Sequence, residues 1–254
     1  MNNNERVIVI TGAALGIGRG IVKRFHDSGA KMVLLDLDIE PLQELADASG
    51  KNVLAIQCDI TRKAEVIAAR NQALAHFGHF DVLVNNAGIN KPLTPIEDVR
   101  EEDWRAVLDV NITGAFFCTQ AFGTPMLDRG GSIVNIASAA AVVPMPHRGA
   151  YSASKAGIMI LTQQIAVEWG PRKVRANAIC PGLIETPMMA AVYAVPGVRE
   201  ARAALVPWSR VGQPEDVAKV VFFLASPESE YINGEFLRVD GGFTVTPMLQ
   251  LIRI

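Results

Sequence analysis

Short runs of aliphatic and β-branched residues alternate along the chain with longer amphipathic stretches. The short runs have the length and composition of buried strands, and they fall at residues 6–11, 31–35, 52–58, 81–84, 132–137, 174–180 and 236–239. The amphipathic stretches predict helices up to residue 28 after the first strand and at residues 38–49, 62–77 with Thr61 as N-cap, 101–127, 151–170 and 214–225. Because strands that alternate with helices form parallel sheets with right-handed crossovers, we expect an α/β protein. Residues 1–254 would form a single-domain Rossmann fold, a doubly wound parallel sheet with helices on both faces.

The composition fits one globular domain and excludes several other classes of protein. The chain has 254 residues, 50% of them apolar, and a formal net charge of -2. Such a chain can bury a large core, and it shows no basic surface for nucleic acid or an anionic membrane. No apolar run reaches the ~18 residues of a membrane span, and the N-terminus shows no signal-peptide pattern. We therefore expect a soluble cytoplasmic protein.

The spacing of cysteine and histidine residues gives no metal site. Cys58, Cys118 and Cys180 stand about sixty residues apart, which suits neither a zinc site nor a disulfide framework. We expect all three to be small buried apolar side chains. The 4 histidines show no ligand spacing either, so we expect no catalytic metal.

A glycine-rich turn follows the first predicted strand. Gly12, Gly16 and Gly18 stand between that strand and a predicted helix, with Leu15 and Ile17 among them. Such a turn lets the backbone approach a pyrophosphate, to which the helix N-terminus offers amide groups and a positive dipole. An ordinary tight turn is the alternative, since a glycine-rich turn alone is a weak signal.

An acidic residue, Asp36, follows the second predicted strand. In this strand–turn–helix context its carboxylate can accept hydrogen bonds from the adenosine ribose and would repel a 2′-phosphate. Neither Ala14 in the turn nor Leu37 after the acid offers a cation for that phosphate. The pattern favours NAD over NADP, and the alternative is a solvated carboxylate at a strand end.

Small and polar residues follow two further predicted strands. Asp59 follows the third strand, and Asn86, Ala87 and Gly88 follow the fourth. Small residues at that edge would let a cofactor lie against the backbone, while a plain turn is an equally good interpretation.

Tyr151 and Lys155 stand four residues apart in a predicted helix, and Ser138 ends the strand before it. Positions i and i+4 share a helix face, so the ammonium would lie beside the phenol and lower its pKa from ~10. That would make the phenol a general acid/base. Ser138 would point into the crevice at the carboxyl ends of the strands. Taken alone, the pair is also typical of any amphipathic helix.

Together these motifs resemble those of the short-chain dehydrogenase/reductase family, in the same order and at similar intervals. The resemblance covers residues from about 6 to 242 and is carried by Thr11-Gly-x-x-x-Gly-Ile-Gly18, Asn85-Asn-Ala-Gly88, Asn111, Ser138, Tyr151-x-x-x-Lys155 and Pro181-Gly182. Each motif alone is weak, but the ordered set is specific.

The resemblance implies a role for each matching residue. Tyr151 would exchange a proton with the substrate oxygen, and Lys155 would lower its pKa and bind the nicotinamide ribose. Ser138 would hold the substrate carbonyl or alcohol, and Asn111 would keep a water molecule in a proton relay with Lys155. The cofactor-binding residues would be Gly12, Leu15, Gly16, Ile17, Gly18, Asp36, Asp59, Ile60, Asn86, Ala87, Gly88, Tyr151, Lys155, Pro181, Gly182, Ile184 and Thr186.

Substrate choice would depend on residues 186–210 and on the residues before the predicted catalytic helix. Helical character broken by a Pro-Gly pair predicts a lid over residues 186–210, with Tyr193 and Trp208 as walls. A helical pair packed on the body of the protein is the alternative. His147 and Arg148 would hold a hydroxyl-rich or anionic substrate, Arg148 by a forked contact to a carboxylate, unless both point to solvent.

The implied reaction is NAD-linked interconversion of a secondary alcohol and a ketone on a polyol, a sugar or a small hydroxy acid. A 3-oxoacyl-thioester reductase is the alternative within the family, and steroid or xenobiotic ketones remain open. A non-catalytic NAD sensor is the alternative from another class, and the complete Ser–Tyr–Lys–Asn set disfavours it. The family's usual assembly predicts a homotetramer, in which the apolar segment 243–254 packs against a neighbouring subunit.

Overall fold

Seven parallel strands form one sheet within residues 5–246, the part of the chain that the structure, a computed structural model, describes. The strands are β1 (Val7–Thr11), β2 (Lys31–Asp36), β3 (Val53–Gln57), β4 (Val82–Asn85), β5 (Gly131–Ile136), β6 (Val174–Pro181) and β7 (Phe236–Val239). Their spatial order is β3-β2-β1-β4-β5-β6-β7. The order reverses between β1 and β4, and α/β proteins bind ligands outside the strand ends at such a point.

Helices connect these strands on both faces of the sheet. Their bounds are α1 (Gly16–His26), α2 (Glu40–Ser49), α3 (Lys63–Phe77), α4 (Glu101–Leu108), α5 (Ala115–Cys118), α6 (Gly149–Trp169), α7 (Ala190–Tyr193), α8 (Val198–Ala204) and α9 (Pro214–Ala225). Wider π-helical turns at Asp109–Gly114 and Thr119–Gly123 flank α5.

Alternate residues of each central strand enter two separate apolar layers. Ile8 and Ile10 pack with α1 and α9 on one face of the sheet, and Val7 and Val9 pack with α3 and α6 on the other. Burial with period two is what a sheet covered on both faces requires. Each fully buried aliphatic side chain contributes roughly 1.5–3 kcal/mol, so the two layers hold the strand ends in fixed positions.

The structure confirms the predicted fold, a single-domain α/β protein with a doubly wound parallel sheet. Helix α9 has the predicted bounds, and each strand ends within a residue or two of its prediction. The long helical region predicted for residues 101–127 is confirmed, although its geometry is not uniform, because two π-helical turns and a final 3-10 segment (Thr124–Asp128) replace part of the α-helix.

No helix among residues 5–246 is long and apolar enough to cross a membrane. The segment predicted to contact a neighbouring subunit begins with the short 3-10 turn Phe243–Val245. Residues 247–254, the rest of that segment, lie outside the described part of the chain.

Candidate active site

The loops that follow the carboxyl ends of the strands enclose a cavity of about 560 Å³. Most of the predicted site residues line it: Gly12, Leu15, Gly16, Ile17, Asp36, Asp59, Ile60, Asn86, Ala87, Gly88, Ser138, Arg148, Tyr151, Lys155, Pro181, Gly182, Ile184, Thr186 and Tyr193. Gly18, Asn111, His147 and Trp208 are not part of its lining.

The turn after β1 is fixed against the turn after β4. The Thr11 hydroxyl accepts hydrogen bonds from the backbone amides of Asn86 and Ala87, both at 3.0 Å. The Asn86 side chain donates to the carbonyls of Thr11 at 3.1 Å and Gly12 at 2.8 Å. Gly12 has a φ of 63°, and a β-carbon there would lie 2.7 Å from the Cα of Ala87. Only glycine fits this position, and the two turns form one rigid floor.

Gly16 and Gly18 serve this floor in different ways. A β-carbon at Gly18 would lie 1.9 Å from the Gly12 carbonyl oxygen, so Gly18 lets α1 pack directly against the turn from outside the cavity. The structure thus gives Gly18 a packing role where the sequence predicted a cofactor contact. At Gly16, a β-carbon would lie 3.4 Å from the Cβ of Thr186, so the loop after β6 approaches the turn closely.

Backbone amides orient the carboxylate of Asp36. Its Oδ2 accepts from the Ala14 amide at 2.9 Å, and its Oδ1 accepts from the Asp38 amide at 3.2 Å. The exposed side chains of Leu15 and Leu37 line the same end of the cavity.

Asp59 accepts a hydrogen bond from the hydroxyl of Thr61, the residue that was expected to cap α3. Thr61 donates to Asp59 Oδ1 from its hydroxyl at 2.7 Å and from its amide at 3.0 Å. The Thr61 hydroxyl, more than its amide, lowers the pKa of Asp59, while burial opposes the shift. The N-cap prediction for Thr61 is therefore wrong, and Arg62 occupies that position without a side-chain cap. Ile60 packs against Gly114, where a β-carbon would lie 2.7 Å from Ile60 Cδ1.

Asn111 lies in the first π-helical turn and is only 1% exposed. Its Oδ1 accepts from the Ile89 amide at 2.8 Å, and its Nδ2 donates to the Ile89 carbonyl and to Ser154 Oγ, both at 3.0 Å. Ser154 in turn donates to the Tyr151 carbonyl at 2.8 Å. The side chain therefore ties the loop after β4 to the first turns of α6.

Ser138 and Tyr151 come together on the cavity wall, where the Ser138 hydroxyl acts to lower the pKa of Tyr151. Ser138 follows β5 and caps the 3-10 turn Ala139–Ala141, since its Oγ accepts from the Ala140 amide at 3.1 Å. Tyr151 lies near the start of α6. The strand end and the helix start thus bring two hydroxyl groups together at the cavity surface.

Lys155 lies one helical turn after Tyr151 and is 4% exposed. Its Nζ donates to the Ile136 carbonyl at 2.8 Å and lies 5.9 Å from the centre of the Tyr151 ring. Burial removes water from the ammonium and lowers the pKa of Lys155 to about 8.

The pKa of Tyr151 shifts in the direction opposite to the prediction. Burial raises the pKa of the phenol, and the hydrogen bond with Ser138 and the charge of Arg148 only partly offset that shift. The Lys155 ammonium donates its hydrogen bond to the Ile136 carbonyl and not to the phenol. Burial therefore outweighs the lowering of the Tyr151 pKa that the sequence predicts.

The loop after β6 is held in place over the cavity. The Gly212 amide donates to the Leu183 carbonyl at 2.8 Å, and the Glu185 amide donates to the Gly212 carbonyl at 2.9 Å. A β-carbon at Gly182 would lie 2.6 Å from Asp240 Cβ, which leaves room for glycine alone. These contacts position the four lining residues of this loop that the sequence singled out: Pro181, Gly182, Ile184 and Thr186.

The two basic residues before α6 point in different directions. Arg148 lines the cavity, with its Cζ 5.7 Å from the centre of the Tyr151 ring. His147 is exposed and has a left-handed φ of 63°, and its carbonyl accepts from the Thr94 amide at 3.2 Å. This backbone turn places His147 outside the cavity, so the prediction that it faces the substrate is wrong.

The two aromatic residues of the predicted lid also separate. Tyr193 of α7 lines the cavity. Trp208 is 72% exposed, and its amide donates to the Gly241 carbonyl at 3.2 Å. Because this contact folds the end of the lid segment back onto the body of the protein, the prediction of Trp208 as a substrate wall is wrong.

Two features of the site escape the sequence motifs. Arg202 of α8 lines the cavity, and its positive charge within the predicted lid segment was the one sequence feature that could have indicated this position.

A buried polar network lies behind α6. Asn85 Nδ2 donates to Asn135 Oδ1, and Asn135 Nδ2 donates to Thr162 Oγ1, both at 2.8 Å. Polar residues within buried strand patterns were the available signal for this network.

The residues of the floor fit a dinucleotide. The glycines leave backbone exposed where a side chain would fill the space, and no side chain caps the N-terminus of α1. Its first amides can therefore bind phosphate oxygens, and Asp36 offers a fixed carboxylate. Among residues 5–246, no cluster of His, Cys, Asp and Glu side chains could hold a metal ion.

Comparisons with known proteins agree with this architecture. A family model described as enoyl-(acyl carrier protein) reductase matches residues 12–244. The 3beta-hydroxysteroid dehydrogenase 1 of Eggerthella lenta is 38% identical over 251 residues, and the match covers 96% of each chain. The NAD-dependent glycerol dehydrogenase of Listeria innocua is also 38% identical, with 96% of each chain covered.

A solved structure shows the same arrangement of strands and helices. The 3-ketoacyl-(acyl-carrier-protein) reductase from Brucella melitensis, crystallised with NADH, matches with a TM-score of 0.88 and 34% identity, covering 94% of this chain and 98% of that one. Since the family model and these relatives span nearly the whole chain, the protein belongs to the short-chain dehydrogenase/reductase family and is a nucleotide-binding oxidoreductase that acts on CH–OH groups.

Proposed function

We propose that the protein is an NAD-dependent oxidoreductase that interconverts a secondary alcohol and a ketone on a polyol, a sugar or a small hydroxy acid. The observation that carries this proposal is the pair of hydroxyl groups of Ser138 and Tyr151 on the cavity wall, with the buried ammonium of Lys155 one helical turn after Tyr151. A substrate oxygen seated between the two hydroxyl groups would have a hydrogen-bond partner on each side.

Tyr151 is the proposed acid/base. In the reductive direction its hydroxyl gives a proton to the carbonyl oxygen, while Ser138 Oγ donates a hydrogen bond to the same atom and disperses the developing charge. In the oxidative direction the phenolate accepts the alcohol proton. Because the pKa of Tyr151 is raised, the acid form dominates at neutral pH, and alkaline pH favours oxidation.

Lys155 and Asn111 are the proposed means of replacing that proton. A β-carbon at Gly88 would lie 3.2 Å from both Asn111 Oδ1 and Lys155 Nζ, so these two polar groups meet at one point. With a pKa of about 8, Lys155 can gain or lose a proton near neutral pH. We propose that a water molecule between the two groups links them in a relay.

NAD, when bound, supplies or accepts the hydride. The floor formed by the turns after β1 and β4 would hold its pyrophosphate, and Asp36 would accept hydrogen bonds from the adenosine ribose. No basic residue from the turn after β2 lines the cavity among the described residues, which supports NAD over NADP. The relative from Listeria is named as NAD-dependent, and the Brucella reductase was crystallised with NADH.

Reduction of a 3-oxoacyl thioester is the second candidate within the same chemistry. Similarity to the Brucella 3-ketoacyl-(acyl-carrier-protein) reductase supports it. A sensor that binds NAD without turnover is the third, and the paired hydroxyl groups of Ser138 and Tyr151 argue against it. We further propose a cytoplasmic homotetramer that acts on a small-molecule substrate without nucleic-acid or membrane partners.

The Tyr151→Phe variant tests the proposed mechanism. It should lower turnover at least ~100-fold, the usual scale for loss of an acid/base, while NADH still binds. We would follow NADH absorbance with polyols, sugars, hydroxy acids and hydroxyacyl thioesters, with NAD and NADP in parallel, and measure binding by NADH fluorescence. Tyr231→Phe is the matched control, because Tyr231 is fully exposed and its loss should leave turnover intact.

Each result separates the candidates. Near-normal turnover by Tyr151→Phe would remove Tyr151 from the chemistry. Faster turnover with NADP would show that the role given to Asp36 is wrong, and activity confined to thioesters would favour the second candidate. NADH binding with no turnover on any substrate class would favour the sensor.

A further inference from the structure

Two arginine side chains line the cavity, and one of them lies beside Tyr151. Arg148 Cζ lies 5.7 Å from the centre of the Tyr151 ring, and Arg202 Cζ lies 5.2 Å from the centre of the Tyr193 ring. Arg148 comes from the residue before α6 and Arg202 from α8. Two separate elements thus deliver a positive charge to the same cavity.

Neither guanidinium has a carboxylate partner among residues 5–246. Arg199, one helical turn before Arg202 on α8, does pair with Glu185 at 2.5 Å. Arg148 occupies the N-cap position of α6, where the positive end of the helix dipole disfavours a cation. The fold therefore offers neither cavity arginine a compensating charge.

The acidic residues that line the cavity, Asp36 and Asp59, lie at its other end. They are at the ends of β2 and β3, whereas Ser138 follows β5, and β1 and β4 lie between β2 and β5. Neighbouring strands are about 4.8 Å apart, so about 14 Å separates Asp36 from the hydroxyl pair. The cavity is negative at the end proposed for adenosine and positive at the end proposed for the substrate.

Arg202 and Tyr193 form one wall of the cavity. The Arg202 guanidinium lies over the Tyr193 ring, and both residues line the cavity. The Tyr193 hydroxyl itself is buried, so a ligand in the cavity would meet the guanidinium and not this hydroxyl.

We infer that the substrate carries an anionic group, bound by Arg148 and Arg202. A guanidinium binds carboxylate or phosphate oxygens through two parallel N–H groups. Within the proposed function, on which this inference rests for the reacting hydroxyl, the favoured substrate is a hydroxy acid and not a neutral polyol or sugar. Its hydroxyl gives a proton to Tyr151 and its carbon gives a hydride to NAD, which yields the oxo acid, NADH and a proton.

The remaining lining residues suit a hydrocarbon chain between the reacting carbon and the anion. Leu93, Met145, Met188 and Met189 all line the cavity. Methionine side chains adapt to aliphatic ligands of different shape. This apolar wall favours a ligand with a charge at one end over one that is hydroxylated throughout.

Matched substrates test the inference directly. We would compare 3-hydroxybutyrate with its neutral isostere 3-hydroxybutyramide, and with 3-hydroxybutyl phosphate to distinguish a carboxylate from a phosphate. The wild-type protein should prefer at least one anion over the amide by at least ~10-fold in kcat/KM, the scale of a charge-assisted hydrogen bond. Arg202→Gln should bring that ratio close to one, and Arg202→Lys should restore it in part.

Two controls separate anion binding from general damage. Arg199→Gln, on the same helix but paired with Glu185 outside the cavity lining, should keep the wild-type ratio. Arg148→Gln should reduce the ratio and also move the pH profile of oxidation to higher pH, because the charge of Arg148 lowers the pKa of Tyr151. A merely structural role for Arg148 would leave the pH profile in place.

A binding measurement makes the test independent of turnover. Butyrate and butyramide would each be titrated into the NADH complex, and binding would be followed by NADH fluorescence. Butyrate should bind at least ~10-fold more tightly than butyramide, both in the wild-type protein and in Tyr151→Phe. The preference should be lost in Arg202→Gln.

Equal binding and turnover of acid and amide would overturn the inference and leave the proposed function intact. A raised KM for NAD in the arginine variants, with the acid-to-amide ratio unchanged, would also overturn it, because the arginines would then serve the cofactor. Normal turnover by Tyr151→Phe would instead refute the proposed function, and the butyrate measurement would still decide the inference.

Discussion

The ammonium of Lys155 and the phenol of Tyr151 lie within one helical turn of each other, yet burial shifts both pKa values more than either group shifts the other. An ammonium can lower the pKa of a nearby phenol only if its charge reaches the phenol oxygen. Here the ammonium donates to the carbonyl of Ile136 at 2.8 Å, and burial dominates the pKa of the phenol. The four-residue spacing correctly predicts that Tyr151 and Lys155 are neighbours on the helix. It does not predict that Ile136 of β5 accepts the hydrogen bond of the ammonium.

The buried lysine should give the folding stability a specific pH dependence. Lys155 has a pKa of about 8 in the folded protein against 10.5 for the free side chain. Between these values the unfolded chain holds more protons than the folded one, so the free energy of unfolding rises with pH. Relative to Lys155→Met, the wild-type protein should gain about 2 kcal/mol between pH 7 and pH 9.5, measured by urea unfolding.

The comparison with Lys155→Met cancels the titration of all other groups. Lys219→Met is the control for the loss of a lysine side chain, because Lys219 is exposed on α9. A gap between the wild-type protein and Lys155→Met that is the same at both pH values would contradict the burial of a charged lysine.

The sequence predicts which residues carry the chemistry better than it predicts where the flanking residues point. Tyr151, Lys155 and Ser138 reach one cavity because strand ends and helix starts have fixed positions in this fold. His147 and Trp208 do not reach it, since a left-handed φ of 63° at His147 and a backbone contact from Trp208 to Gly241 turn them away. Local backbone geometry of this kind leaves no trace in the apolar pattern.

Among the secondary-structure elements, those with a strong period are the ones that the sequence predicts well. Helix α9 carries a proline in its first turn and a capping box between Gln213 and Asp216, so both its start and its apolar face are visible in the sequence. The region after α4 has the apolar content of a helix but not its uniform geometry. The three hydrogen bonds of Asn111 to Ile89 and Ser154 accompany the wider turn there, and these partners are remote in sequence.

The buried polar network behind α6 should contribute to stability through Thr162. This side chain is fully buried, accepts from Asn135 Nδ2 at 2.8 Å and donates to the Ile158 carbonyl at 2.7 Å. Thr162→Val keeps the shape but leaves the Asn135 amide unpaired, which should lower the free energy of unfolding by about 1–3 kcal/mol. Urea unfolding of the two proteins measures the difference.

Thr124→Val is the matched control for that substitution. Thr124 also donates to a carbonyl four residues earlier, at 2.6 Å, but it is exposed to water. Its loss should change the free energy of unfolding by less than about 0.5 kcal/mol, as for most surface substitutions. Equal effects of the two variants would show that the buried network adds nothing beyond a local helix contact.

For the molecule as a whole, one cavity uses both halves of the doubly wound sheet. The half containing β1, β2 and β3 supplies the carboxylates and the glycine-rich turn, and the half containing β4, β5 and β6 supplies the rest of the floor, the hydroxyl pair and the covering loop. A ligand that spans the two halves must cross the point where the strand order reverses. That placement follows from the alternation of strands and helices, so it was predictable before any side chain was located.

The surface of the single chain points to a larger assembly. Ile160 and Val167 are 65% and 74% exposed and lie two turns apart on α6, so they share one face of the helix. Exposed apolar side chains on one helix face are unfavourable in water and typical of contacts between proteins. A second copy of the chain, with the same apolar side chains, would cover them.

We therefore predict a homotetramer by light scattering, in which α6 contributes to a subunit contact. The double variant Ile160→Glu with Val167→Glu should form smaller species, because the contact would bury two unpaired charges. The control places two glutamates on the exposed face of α3, Gln72→Glu with Ala75→Glu, and should stay tetrameric. A monomeric wild-type protein would contradict the prediction, and a tetramer that survives the α6 substitutions would place the contact elsewhere, with residues 247–254 as the next segment to remove.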